Sequence, residues 1–457
     1  MHLKIPLSTT FCGRAPNFLN LNFIFEKVIT IMKQCILVIF VDSLMSSDYS
    51  KLKELDNFKY IISKGTIVNK VYNQYPNLKA PASTSILTGE LPYRHGIYFD
   101  NNNISVRKYR QKEYEDIQVP TILDLLKNNG NDISVISWPV MSNSGFKYNF
   151  NQINSEKISH VYKSILQGSS LYMSKNLFKY SSFFKINMQP ECDNFYSILA
   201  MELLEKRSSN VIFMGFDHLA YVRKRYMRDS DNTYEALNSI DKRIGDIIHW
   251  CDNKNILNNL TMCIVSSGGF HDLKYTININ YAFSKYDFLT LNKKMSIKNY
   301  VAYAHCDGGS AFIYLKNPNN INDYGKVKVF LNWFLENNSK YIKDIHETHG
   351  YDSFDLNSFS FRLEAKPNCI FDGGFNKKDI IEEFNLNACS LNSKIKCYGG
   401  YSNLDENSTG LFIGYGNKVK IGNKIQRCDI IDIAPTISSF MDLNFECSGK
   451  IIKGMKV

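Results

Sequence analysis

The stretch at residues 75–97 is YPNLKAPASTSILTGELPYRHGI. It reads as a loop feeding a helix that ends in a glycine turn. Pro81 suits an opening turn, where its missing N–H is no loss, and Gly89 suits the left-handed stop. Ser83, Thr84 and Ser85 crowd the end where backbone N–H groups point outward, a place suited to an anion. A loop of this shape would present a reactive hydroxyl, yet Lys79, two residues before the proline, is neither hydroxyl nor thiol.

On either side of this stretch, short apolar runs alternate with helical patterns. The runs are CILVIFVDS (35–43), DISVISWPV (132–140), NVIFMGFDH (210–218), TMCIVSSGG (261–269), AFIYLK (311–316) and GLFIGYG (410–416). Continuous β-branched runs bounded by turn signals fit strands buried on both faces. VPTILDLLKNNG (119–130) and DNTYEALNSIDKRIGDIIHW (231–250) read as helices, the second with Leu237, Ile240, Ile244, Ile247 and Ile248 on one stripe. The alternation predicts an α/β fold, a mostly parallel central sheet flanked by helices. Ligands of such sheets sit beyond the C-terminal strand ends, where Asp42, Asp217 and the Ser266–Gly269 turn fall. Residues 273–367 break the alternation and read as an inserted cap. The divisions are therefore an appendage at 1–31, core at 32–272, cap at 273–367 and core again at 368–457, with Met32 an alternative start.

The 457 residues, 44% hydrophobic, suffice for one large or two ordinary domains. The net charge of +10 permits anionic partners, but the basic residues are spread out and only YVRKRYMR (221–228) is dense. With no zinc-finger spacing or aromatic RNA motif beside it, that cluster reads as a solvated loop or helix face and nucleic acid is disfavoured. Eleven scattered cysteines without a CxxC pair favour a reducing compartment, hence the cytoplasm. The N-terminus has no clean signal-peptide pattern, and no run reaches the length of a membrane span.

The Asp-ending strand at 35–43, the 75–97 stretch, DGGSAFIYL (307–315), EAKPNCIFD (364–372) and LFIGYG…DIIDIAPTISSFMDL (411–443) together resemble the alkaline phosphatase superfamily, in its type I phosphodiesterase/nucleotide pyrophosphatase branch. The resemblance covers most of residues 33–457. It implies an alkaline-phosphatase-like core and, in active members, two metal ions, typically zinc, that activate a Thr or Ser nucleophile and neutralise phosphoryl oxygens. On the matching positions, Asp42 and Asp217 are the retained acidic ligands, and Lys79 occupies the place of the nucleophile. Ala82 replaces an Asn that supports the phosphoryl oxygen. The histidine after Asp217 reads Tyr221, the usual Asp-His pair reads Ser267-Gly268, and the final histidine reads Gly399.

Two carboxylates without an imidazole make a poor zinc site, so at most weak or single-site metal binding is expected. Three readings of Lys79 follow: an ammonium standing in for the metal charge beside Asp42 and Asp217, a solvent-facing replacement, or a catalytic amine. A rebuilt metal site is the alternative, drawn from His218, His271, Asp272, His305 and Asp307. His346 and His349 in HETHGYDS have helical i, i+3 spacing and read as surface residues of the cap, and His95 belongs to the structural turn. The expectation is a pseudoenzyme that binds an anionic phospho-ligand or a protein partner. The alternative is an active metal-dependent phosphodiester or pyrophosphate hydrolase.

Overall fold

A seven-residue strand with no polar side chain, Cys35–Val41 (β1), runs through the middle of the molecule with every residue buried. Each fully buried Val, Leu, Ile or Phe contributes about 1.5–3 kcal/mol, so a strand this apolar is held between layers on both faces. The computed structural model describes residues 33–100, 113–153, 158–180, 189–348, 359–384, 395–402 and 409–457. The 1–31 appendage and His349 lie outside the described residues.

Five further strands join β1 in chain order: Gly65–Tyr72 (β2), Ile133–Ile136 (β3), Tyr148–Phe150 (β4), Val211–Phe216 (β5) and Leu260–Val265 (β6). With Gly410–Gly416 and Asn423–Asp429 they make one eight-stranded sheet. Its spatial order is Asn423–Asp429, β2, Gly410–Gly416, β6, β1, β5, β3, β4. Only Gly410–Gly416 runs antiparallel to its neighbours; the pairings β1–β5, β1–β6, β3–β5 and β3–β4 are all parallel. The register sets Val41 beside Phe216 and Phe40 beside Val265. Asp42 therefore leaves the sheet at the same edge as Asp217 and Ser266.

Helices cover the sheet where the sequence places them, with differences at their ends. The first begins at Ile122, because the Thr121 side chain accepts the Asp124 N–H and caps it, leaving Pro120 outside. The second spans Asp231–Asn253 behind a Ser230 cap and buries Leu237, Ile240, Ile244 and Ile247. The helix of the opening stretch runs Lys79–Thr88 and stops at Gly89, φ 64°.

Residues 310–315, an apolar run like those of the core, lie elsewhere. They form part of a four-stranded antiparallel sheet in the order Ala302–Asp307, Ser310–Leu315, Phe361–Ala365, Ile342–Glu347. This sheet has its own core, with Phe283, Phe312, Phe334 and Phe361 fully buried. His346 sits in the Ile342–Glu347 strand rather than on a helix, so the helical spacing does not hold; its partner strand fixes period two there.

Candidate functional site

The helix Lys79–Thr88 points its N-terminus into the crevice at the strand ends, and its backbone donors are all accounted for. The Ala80 N–H donates to Asp100 Oδ1 at 2.6 Å and the Lys79 N–H to Oδ2 at 3.2 Å. Pro81 has no N–H, and Ala82 N–H reaches Leu78 O. The chain's own carboxylate thus fills the anion position that the helix start offers. Asp100 is tied in turn to Asp307, whose Oδ2 accepts the Asp100 N–H at 2.9 Å and whose Oδ1 accepts the Tyr398 hydroxyl at 3.3 Å.

The side-chain hydroxyls of the helix Lys79–Thr88 are all occupied. Ser83 and Thr84 donate to Ala80 O, and Ser85 Oγ lies 3.1 Å from His95 Nε2. His95 Nδ1 accepts the Ile97 N–H, so Nε2 carries the proton and donates to Ser85. Burial holds this imidazole neutral, its pKa lowered to about 3. The three hydroxyl residues are fully buried, one turn or more inside the helix start.

Lys79 side chain turns into the crevice. Its Nζ lies 2.5 Å from Asp217 Oδ1, with the two side chains 16% and 21% exposed. Asp217 Oδ2 accepts from Gln152 Nε2 at 2.5 Å, so both of its oxygens are engaged. Burial alone would push the Lys79 pKa down; Asp217, Asp42 and Asp100 outweigh it and raise it above the ordinary value. The amine is a cation, without the lone pair a nucleophile needs.

Asp42 follows β1, its N–H bonded to Phe216 O and the residue as a whole 4% exposed. Its carboxylate accepts no hydrogen bond from any described residue. The next residue, Ser43, has φ 65°, a left-handed conformation uncommon outside glycine. Burial pushes the Asp42 carboxyl up to about 6; Lys79 and Lys224 pull it down, Asp217 and Asp100 push it up. Asp193, on the helix Glu191–Glu205, accepts the N–H groups of Asp217 and His218 and so caps the helix His218–Tyr226. Burial and the Asp217 charge lift its carboxyl to about 7.

A carboxyl harder to ionise in the folded than the unfolded chain stabilises the fold below its unfolded pKa and loses that contribution as pH rises through its folded one. For Asp42 that window is about pH 4 to 6. Asp42→Asn is therefore expected to be more stable than the parent at neutral pH, by about 2 kcal/mol, with the difference closing near pH 4. Urea unfolding at both pH values checks this; a variant less stable at neutral pH contradicts it.

Two of the turns where the resemblance expects metal ligands, at Ser267-Gly268 and Gly399, converge on Asn77. Asn77 Nδ2 donates to Ser267 O at 3.2 Å, and Asn77 O accepts the Gly400 N–H at 2.8 Å. Gly268 and Gly269 hold φ of 64° and 86°, and a Cβ on Gly269 would lie 2.0 Å from Asn77 Nδ2. A Cβ on Gly399 would meet Asn77 O at 3.0 Å. The turns around Ser267, Gly268 and Gly399 are thus packed on one asparagine. Tyr221 lies within the helix His218–Tyr226, its ring covered by the Arg225 guanidinium at 3.6 Å.

The residues considered for a rebuilt site are dispersed among packing roles. His271 and Asp272 form a two-residue strand paired with Cys397–Tyr398. The His271 ring meets Tyr401 edge-on at 4.9 Å, and Asp272 Oδ1 accepts the Arg228 N–H. His305 packs its ring 4.7 Å from Phe99, and Asp307 serves Asp100 and Tyr398. His218, lowered to about 4 by burial and Arg243, is neutral near pH 7. Among the described residues no group of three or more His, Cys, Asp or Glu side chains converges to hold a metal ion.

The two-ion centre that the resemblance implies does not fit this donor set. One of its two carboxylates, Asp217, has both oxygens taken, by the Lys79 ammonium and by Gln152.

Asp100, Gln152 and Asp193 join the site without having stood among the candidates read from sequence. Asp100 carries a faint signal, a carboxylate shortly after a helix-ending turn; the others have none. The basic cluster also differs from expectation. Arg223 is fully buried on Asp48, at 2.6 Å, and Lys224 Nζ lies over the Tyr398 ring at 4.7 Å and Phe270 at 5.6 Å. A cavity of about 820 Å³ lined by Tyr72, Gln74, Tyr75, Tyr93, His346 and Arg362, among others, shares no residue with the crevice.

Among known proteins, the profile of the family described as type I phosphodiesterase/nucleotide pyrophosphatase matches residues 36–352. Similar solved structures include murine ectonucleotide pyrophosphatase/phosphodiesterase 5, 13% identical, covering 93% of this chain and 100% of that one at a TM-score of 0.63. An inactive variant of the murine protein in complex with AMP gives 13%, 93%, 100% and 0.62. The human counterpart gives 13%, 91%, 97% and 0.63. No curated protein sequence matches the chain. Among the described residues no helix is long and apolar enough to cross a membrane. At this identity the solved structures speak for the fold, and the matched profile, spanning more than half the residues, speaks for descent: the chain belongs to the type I phosphodiesterase/nucleotide pyrophosphatase family.

Proposed function

We propose that this chain is a pseudoenzyme of its family, a phosphodiesterase-like domain that has given up hydrolysis and acts by binding, as a scaffold or a regulator. The observation that carries the reading is the ion pair between Lys79 and Asp217 in the crevice. A cation fixed in the chain supplies the charge that a metal would bring, but it leaves no open coordination position and activates no hydroxyl. The occupied hydroxyls of Ser83, Thr84 and Ser85 support the same reading, since none is available as a substitute nucleophile.

The bound partner is the less specified half. A nucleoside monophosphate, the ligand of the inactive murine variant, would have to displace Asp100 from the helix start. That competition favours a protein partner over a phospho-ligand.

Hydrolysis of a chromogenic phosphodiester, with zinc or manganese supplied and with chelator, tests the proposal. The expected rate equals the buffer control in every condition and is unchanged by Asp217→Ala. Chelator-sensitive turnover that Asp42→Ala and Asp217→Ala abolish would overturn it.

A further inference from the structure

The helix Ile321–Asn337 buries one apolar face and leaves on its outer face an exposed apolar pair, Val329 and Trp333, flanked by charges. Val327, Phe330, Leu331 and Phe334 are buried beneath it. Its outer face carries Asn322, Lys326, Val329, Trp333 and Glu336, all exposed, with Val329 70% and Trp333 38% accessible. Their spacing of four, three, four and three residues is that of a seam along which two helices pack side by side. Trp333 is held in place by Tyr286, ring centroids 5.0 Å apart, and by Phe330 at 5.7 Å. These rings, with Phe288, Gly325 and Lys326, edge a shallow groove of about 580 Å³.

The charges on this seam name its occupant. Lys326 and Glu336 form no ion pair with any described residue and lie at opposite ends of the apolar pair. Along the helix the order is cation, Val329, Trp333, anion, symmetric in spacing about residue 331. We propose that the face pairs antiparallel with the same face of a second copy of this chain, giving a two-fold dimer. Antiparallel pairing lays Val329 on Trp333 of the second copy and sets Lys326 against Glu336 at both ends. A parallel copy would set lysine on lysine and glutamate on glutamate, so the charge order also fixes the direction. The helix is about 25 Å long, and a contact of that length falls at the small end of specific interfaces, below about 1,200 Å². The dimer is therefore weak and reversible, in the micromolar range.

Sedimentation equilibrium of the full chain, from low to high micromolar concentration, tests this. The parent is expected to pass from monomer to dimer, and Val329→Asp to stay monomeric. Lys326→Glu and Glu336→Lys alone are each expected to weaken the dimer about tenfold or more, while K326E/E336K together recover most of the parent affinity. Unchanged circular dichroism and thermal midpoints separate loss of pairing from loss of fold. A parent that keeps the mass of one chain throughout overturns the proposal. So does a dimer that Val329→Asp leaves intact, or a double variant as weak as the singles.

Discussion

Lys79→Met is expected to destabilise the fold by about 3 kcal/mol, read as a lowered urea midpoint with an unchanged slope. Methionine keeps the length and apolar stem of lysine, so the loss isolates the charge. Asp217 would retain Gln152 but lose its ammonium at 2.5 Å, and Asp42, already hard to ionise, would lose the stronger of the two lysine charges that favour its ionised form. Both carboxylates are shielded enough that water recovers little of the difference. A second effect follows. With the internal cation gone, Asp42 and Asp217 become available to a divalent ion, so manganese or zinc should raise the melting temperature of Lys79→Met more than that of the parent. A variant within about 0.5 kcal/mol of the parent, and indifferent to metal, would mean that the ion pair carries no weight.

Arg223→Met should cost as much or more, about 3–5 kcal/mol, because its partner is sealed from solvent. The Arg223 and Asp48 side chains are 0% and 1% exposed, with Nη2 and Oδ1 2.6 Å apart. The guanidinium also donates through Nη1 to Ser43 O and through Nε to Arg228 O at 3.2 Å. Removing it strands a buried carboxylate and the carbonyl of the residue beside Asp42. Adding Asp48→Asn to Arg223→Met should restore part of the loss by removing the stranded charge, which a double-mutant cycle in urea would show. A loss below about 1 kcal/mol would put Arg223 among ordinary surface cations, where a nucleic-acid role would place it.

The fold was legible because its determinants are local. The runs at 35–41, 211–216, 260–265 and 410–416 are apolar, short and bounded by turn signals, as buried strands are, and all four lie in the central sheet. The run at 310–315 has the same composition and went to a different sheet, since an apolar run specifies burial but not which core receives it. The crevice was legible only in part. Asp42 and Asp217 announce themselves by ending strands, and Lys79 by its place ahead of Pro81. Gln152 reaches the same crevice from a segment with no periodic or motif signal, 65 residues from Asp217, and Asp100 with only the faint signal of a nearby helix-ending turn, about 20 residues past the helix start. Arg223 was misread because a dense basic run gives no sign of which member turns inward. The helix geometry decides that, setting Arg223 beneath and Arg225 on the Tyr221 ring.

Elemental analysis of the parent protein, purified from medium supplied with zinc and manganese, distinguishes Lys79 from a metal ion as the cation beside Asp217. A crevice neutralised by Lys79 should retain far less than one equivalent of either metal per chain after gel filtration. Close to two equivalents per chain, removed by chelator and restored together with phosphodiester turnover, would contradict it.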